Sequence, residues 1–343
     1  MTTPQKPTMP AARRDGAAAC CSGLRSGLQP PTGAVSDRPA PPVVQDRRAN
    51  QEAARERGLD DSPTSWCGVP AGEFTMGETG PQAVCGDGEG PVRRVVVEAF
   101  EIGATTVTNG QFAEFVDATG HRSTAAQLGW SFVFAGLLPA AARRDAPRPE
   151  QTPWWCGVAD ADWCCPEGPG SHVGDRWDHP VVHVSFEDAV AYCRWARARL
   201  PTEVEWEYAA RGGLERKLFP WGDELSPAGQ HRCNVWQGVF PTKNTVEDGY
   251  RGTSPVYAYE PNGYGLFQTV GNVWEWCADQ WSRPAQGGPV TSQPADAGPV
   301  SRVQRGGSYL CHASYCNRYR VAARTSGGPE DTAGNVGFRV VQR

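Results

Sequence analysis

"GGSYLCHASYCNRYR", residues 306–320, places two cysteines five positions apart. The conformation of this stretch decides how the chain around it is read. In a flat strand, residues i and i+5 point to opposite faces because the side-chain period is two. In a helix they lie about 140° apart. Cys311 and Cys316 therefore converge only if "HASY" forms a turn or bulge. The flanking "RGG" and "RYR" read as strand ends, so the pair sits on a loop held by rigid neighbours, where sites tend to be found.

Spacing alone leaves the chemistry of the pair open. Two thiolates suit a soft ion of low coordination number, with Cu(I) the first candidate, or a redox role. Two structural thiols fit equally well. A structural zinc site normally uses four Cys or His ligands, often as two C-x₂-C pairs, and no C-x₂-C occurs here. Adjacent Cys164 and Cys165 read as a poor pair for one tetrahedral ion.

Outward from this stretch, the chain of 343 residues has a net charge of -5, with 40 Gly, 30 Pro, 13 Trp and 12 Cys. Such a composition suits a loop-rich globular protein with an aromatic core, not a helical bundle. The charge offers no electrostatic reason to bind nucleic acid or an anionic membrane. No run approaches 18 apolar residues, so no membrane span is expected. Arg13-Arg14 before "DGAAACCSGL" hints at an export signal, but Asp15 interrupts the short apolar part and Arg25 follows. It is read as not a signal peptide. The expected compartment is then a reducing cytoplasm, which disfavours a structural disulfide.

Residues 1–60 are rich in Pro, Ala, Arg and Gln and poor in aromatic and β-branched residues, so they read as a disordered tail. Residues 61–343 read as a single domain. "RRVVVEAFEIG" (93–103) reads as a strand. "VTNGQFAEFVDATG" (107–120) reads as a helix with Thr108 and Gln111 as a reciprocal cap and Gly120 at its end. Residues 183–213 hold two more helices, opened by Ser185 with Asp188 and by Thr202 with Glu205, the second closed by Gly212. Ala189, Tyr192, Cys193 and Ala196 form the apolar stripe of the first, which makes Cys193 a core thiol. After residue 214, short segments such as "YGLFQTVGNVWEWCADQW", "RVQRGGSYL" and "GNVGFRVVQR" read as strands of small, irregular antiparallel sheets. No repeat of fixed period is present. The class is α+β with a large loop fraction.

The run "RGGSYLCHASYCNRYRVAARTSGGPEDTAGNVGFRVV" (305–341) is more specific than its cysteines. It resembles the C-terminal signature of the formylglycine-generating enzymes, or sulfatase-modifying factors. The likeness extends through "GWSFVFAGLLP", "PWW", "HPVVHVS", "RLPTEVEWEYAARGG", "FPWGDE", "NVWQGVFPTKNTVEDGY", "PNGYGL" and "VGNVWEW". The resemblance implies a loop-rich variant of the C-type-lectin-like fold and a monomer. It implies an enzyme that oxidises the cysteine of a C-x-P-x-R segment in newly made sulfatases to Cα-formylglycine, using O₂ and a thiol reductant. By the same resemblance, Cys311 and Cys316 bind one Cu(I), and the substrate thiolate joins it as a third ligand. Ser308 and Tyr315 would line the pocket, Trp274 would form its apolar wall, and Asn335 matches an active-site asparagine. Arg199, Trp154 and His312 would meet the substrate.

The family also implies two calcium sites. One would use Asn234, the carbonyl of Val235, Asp248 and the carbonyl of Tyr250. The other would use Gln268, the carbonyls of Gly271 and Val273, and Glu275. Hard oxygen ligands in irregular loops suit Ca²⁺. Gln268 stands where the family often has Asn. Two disulfides of family members from oxidising compartments correspond here to Ala210 with Val321 and to Cys193 with Val340, so both are lost. This agrees with a cytoplasmic, prokaryote-like member.

Three other readings meet objections in the sequence. A non-catalytic sulfatase-binding paralogue would lack the cysteine pair. A non-haem iron sulfoxide synthase sharing the fold would carry an H-x₃-H-x-E helix, and Pro180 after His179 disfavours a helix there. A sugar-binding lectin module would leave the thiol pair without a role. "CCPEG" (164–168) nearly matches C-x-P-x-R but has Gly168 in place of Arg, so the chain reads as modifier and not substrate.

Overall fold

A computed structural model describes residues 30–31, 65–282 and 300–343. Apart from residues 30–31, the expected tail at 1–60 and its Arg13-Arg14 segment lie outside the described residues. The elements are short. The strands run β1 Trp66–Val69, β2 Gly72–Met76, β3 Arg93–Val97, β4 Phe100–Gly103, β5 Trp130–Phe134, β6 Trp155–Ala159 and β7 Ala198–Arg199. They continue as β8 Gly238–Val239, β9 Lys243–Asn244, β10 Trp274–Gln280, β11 Arg302–Arg305, β12 Arg324–Gly327, β13 Val336–Gly337 and β14 Val341–Gln342. The α-helices are α1 Asn109–Thr119, α2 Thr124–Leu128, α3 Ala140–Asp145, α4 Phe186–Trp195 and α5 Glu203–Arg211. Among the described residues no helix is long and apolar enough to cross a membrane.

The helix signals read from local sequence are all present. Thr108, Ser185 and Thr202 each accept from the backbone N–H three residues on, and Gln111, Asp188 and Glu205 each return the bond. These reciprocal caps satisfy donors that the first turn leaves unpaired. Gly120 and Gly212 close α1 and α5 at φ 69° and 56°, a left-handed conformation that glycine adopts without a Cβ penalty. Phe112, Phe115 and Val116 are buried on α1, and Ala189, Tyr192 and Cys193 on α4. Ala196 is exposed as the C-cap of α4, so the stripe ends one turn earlier than read.

Two strand expectations are corrected. Residues 93–103 do not form one strand. β3 pairs with β2, while β4 pairs with β1 and β14 in another sheet. The chain leaves one sheet at Glu98-Ala99 and joins the next, so a single β-branched run serves two surfaces. The sheet built from the C-terminal segments is mixed, not antiparallel. Its order is β12-β11-β10-β13, with β13 parallel to β10.

An aromatic core holds these pieces together. Trp155, Trp206, Trp274, Trp276, Phe112, Phe132 and Phe338 are all fully buried. A buried ion network ties α5 to β11 and β12. Arg305 lies between Glu203 and Glu207, Glu207 also receives Arg211, and Arg324 forks onto Glu203. Losing one partner of such a pair costs about 3–5 kcal/mol because a bare charge stays buried.

Candidate active site

β11 ends at Arg305 and runs into Gly306 and Gly307, at φ 95° and 76°. A Cβ on Gly307 would lie 2.8 Å from the carbonyl oxygen of Arg318 and 2.9 Å from Cα of Tyr319. The outgoing and returning arms of the 306–320 segment thus cross at glycine contact distance. Beyond the crossing the chain turns. The carbonyl of Ser308 accepts the N–H of Cys311, and the carbonyl of His312 accepts the N–H groups of Tyr315 and Cys316. The Cys311 carbonyl accepts the N–H of Trp236, which anchors the turn to the neighbouring loop.

This turn brings the two thiols together. Cys311 Sγ and Cys316 Sγ are 3.2 Å apart, and each residue is 1% exposed. A disulfide would need about 2.05 Å, so the pair is two thiols within the span of one shared ion. The backbone N–H of Ser308 points at Cys311 Sγ at 3.3 Å, and Arg318 Nη1 lies 4.0 Å from Cys316 Sγ. Both place positive charge density beside sulfur.

The returning arm is pinned by two buried ion pairs. Arg318 binds Asp87 through Nε and Nη2, and Arg320 forks onto Glu89 at 2.7 and 2.6 Å. Arg320 Nε also donates to the Asn317 carbonyl, one residue after Cys316. The 85–89 segment and the thiol turn are therefore one unit although they are far apart in sequence.

The residues expected around the pair fall into two groups. Ser308 Oγ accepts from Asn335 Nδ2 at 3.1 Å, and the Asn335 carbonyl accepts the N–H of Trp274. Ser308, Trp274 and Asn335 are buried and linked in one chain of contacts. Trp274 Nε1 is buried without a hydrogen-bond partner. On the other side, Tyr315 stacks on Phe240 with centroids 4.6 Å apart and meets the edge of Trp154 at 4.8 Å. Trp236 continues this aromatic bank against Phe240. His312 Nδ1 is 2.8 Å from Ser314 Oγ, and His312 lines a cavity of about 200 Å³ with Ala313, Trp236 and Tyr319.

Arg199 pairs with a carboxylate of α5. Its guanidinium forks onto Glu205 at 2.7 and 2.6 Å, the glutamate of the α5 cap, and none of these contacts belongs to the thiol cluster. Phe240, Trp236, Arg318 and Tyr319 were not singled out in the sequence. Burial, then the neighbouring thiols, pushes the Tyr319 phenol up to about 12. The "YR" after the second cysteine was the available signal for it.

The two calcium sets differ. In the first, Asn234 Nδ2 donates to the Gly252 carbonyl and to Asn272, which leaves Oδ1 as the ligand atom. Asp248 Oδ1 accepts the Tyr250 N–H, and its Oδ2 is buried with no partner. An unpaired buried carboxylate oxygen is costly unless a cation meets it, so these residues fit calcium. In the second set the two side chains already have protein partners. Glu275 holds Arg339 at 2.6 and 2.8 Å and accepts Trp206 Nε1 at 2.8 Å, so its charge is already neutralised. Gln268 accepts from Ser254 and donates to the Pro255 carbonyl.

Comparison with known proteins adds a lineage to this geometry. Residues 51–343 match the family model described as sulfatase-modifying factor enzyme 1-like domain. A relative from Thermomonospora curvata named formylglycine-generating enzyme is 53% identical over 301 residues, covering 85% of this chain and 95% of its own. A Bos taurus protein named inactive C-alpha-formylglycine-generating enzyme 2 is 45% identical over 275 residues, covering 79% and 85%. Among solved structures, PvdO from Pseudomonas aeruginosa matches with TM-score 0.55 at 24% identity over 80% of this chain and 93% of its own, a likeness of fold.

Proposed function

The chain belongs to the sulfatase-modifying factor enzyme 1-like family, and from that premise we propose that it oxidises the cysteine of a C-x-P-x-R segment in sulfatase polypeptides to Cα-formylglycine. It is an enzyme of the formylglycine-generating class. The observation that carries the finer reading is the convergence of Cys311 and Cys316 at 3.2 Å on a buried turn. That pair also argues for the active branch over the inactive one.

The overall balance follows from the product. Converting R–CH₂–SH to R–CHO and H₂S removes two electrons from the substrate carbon. O₂ takes up four, so two external thiols supply the other two and leave as a disulfide, with one water formed. Copper(I), when held by Cys311 and Cys316, supplies the one-electron and O₂ chemistry. The protein's own groups do the rest. The Ser308 amide and the Arg318 guanidinium approach the two sulfurs and help to hold them in place. The Asn335–Ser308 bond fixes the Ser308 hydroxyl on the buried side of the pair. Tyr315, Phe240 and Trp154 offer a rigid aromatic bank for the proline-containing peptide and exclude water from the thiols.

The proposal includes calcium at Asn234, Val235, Asp248 and Tyr250, a monomer, a catalytic domain at 61–343 preceded by a tail, and a reducing cytoplasm. The loss of both bridge positions, with Ala210 and Val321 at one and Val340 opposite Cys193 at the other, supports the last point. The test is direct. Purified protein loaded with Cu(I) is incubated with a C-x-P-x-R peptide, O₂ and a thiol, and the aldehyde is read by mass. Cys311→Ser and Cys316→Ser are expected to fold and to give no aldehyde. Full turnover by either variant overturns the mechanism.

A further inference from the structure

A second pair of sulfurs lies outside the site above. After β6 the chain makes a tight turn through Asp162, Trp163, Cys164 and Cys165. Asp162 Oδ1 accepts the N–H of Cys164 at 3.0 Å and that of Cys165 at 2.8 Å. Trp163 packs edge-on against Phe112 of α1 with centroids 5.4 Å apart, which holds the turn against the core. The result is a preformed donor set. Cys164 Sγ is 3.0 Å from Asp162 Oδ1, and the two sulfurs are 3.8 Å apart. One ligand atom from each of the three residues lies within 4.8 Å of the others.

Adjacent cysteines looked unsuited to one tetrahedral ion. The turn removes that objection. With metal–sulfur bonds of ~2.3 Å, two sulfurs at neighbouring corners of a tetrahedron are about 3.8 Å apart. The observed separation is the same. Cys164 and Cys165 are 5% and 6% exposed and Asp162 is 9% exposed, so the set is mostly desolvated.

We propose that Asp162, Cys164 and Cys165 bind a thiophilic divalent cation of the zinc type, with two thiolates, one carboxylate and a water as its ligands. Binding releases the two thiol protons to solvent. The site is separate in composition from the Cys311–Cys316 pair. Its donors, two soft sulfurs with one hard oxygen, favour a borderline divalent ion over calcium or magnesium.

The test uses the full chain with Cys20, Cys21, Cys311 and Cys316 replaced by Ser, reduced and freed of metal, and Co²⁺ as the optical probe. One equivalent is expected to give the intense visible bands of a tetrahedral cobalt–thiolate site, and Zn²⁺ is expected to abolish them. Adding Cys164→Ser and Cys165→Ser removes the bands. Asp162→Asn keeps the Oδ1 acceptor for both amides, so it leaves the circular dichroism spectrum unchanged while weakening Co²⁺ binding at least tenfold. If the serine variants fail to fold, the Asp162→Asn titration decides. No band in the parent, or a band that survives either set of substitutions at full affinity, overturns the site.

Discussion

Replacing Arg320 by Met tests how the thiol turn is held. Arg320 and Glu89 have side chains 1% and 0% exposed, joined by two hydrogen bonds of 2.7 and 2.6 Å. Met keeps much of the apolar stem but leaves the Glu89 carboxylate buried without its partner. Breaking such a pair costs about 3–5 kcal/mol. At about 2 °C per kcal/mol for a domain of this size, the thermal midpoint falls by about 6–10 °C. Glu89→Gln in the Arg320→Met background removes the stranded charge and is expected to recover about 1–3 kcal/mol. The assay is urea and thermal unfolding of the four members of this double-mutant cycle, with aldehyde formation measured at a temperature where all are folded. Turnover should fall in the single variant, because Arg320 also holds the Asn317 carbonyl beside Cys316. A loss below about 1 kcal/mol with no coupling between the two positions refutes the argument that this pair anchors the turn.

Asn335→Ala removes the donor to Ser308 Oγ. A bond worth about 1–1.5 kcal/mol lowers kcat/KM roughly tenfold, read by aldehyde yield against peptide concentration, with little change in the melting curve. Burial lowers His183 from 6.5 to about 4, so the folded state keeps it neutral. The unfolded chain then takes up its proton first as pH falls, and the stability present above 6.5 is lost between 6.5 and 4, by roughly 3 kcal/mol. His183→Gln should flatten that part of the urea-midpoint profile, while His179, lowered to about 4 in the same direction, leaves a residual slope. Asp248→Asn discharges the carboxylate whose Oδ2 is buried and unpartnered. Calcium at about a hundred times its Kd adds about 2.7 kcal/mol to the native protein, or about 5 °C, and the variant should lose that rise in chelator-controlled melts.

The helices were legible because their signals are local. Thr108 with Gln111, Ser185 with Asp188 and Thr202 with Glu205 each act within one turn, and Gly120 and Gly212 need no distant partner. Strand pairing is a long-range matter and was not legible. Nothing in "NVGF" says that Val336 lies parallel beside Trp274, or that residues 93–103 divide between two sheets. The site shows the same split. The turn at "HASY" follows from the need to bring two thiols together, and the structure places them so. The pairing of Glu275 with Arg339 is equally hidden, because the arginine arrives from another segment of the chain. The pairing of Arg199 with Glu205, six residues on, was not read either. The use of Asp87 and Glu89 to pin Arg318 and Arg320 could not be inferred from sequence spacing at all.

The segment that closes the first sheet comes last in the chain. β14, residues Val341–Gln342, sits between β4 and β7 in the order β1-β4-β14-β7. Just before it, Phe338 and Val340 offer their carbonyls to Val107 and Gly103, and Arg339 reaches Glu275. β4 and β7 thus meet only through the short β14, so whatever displaces Val341–Gln342 parts the two halves of that sheet.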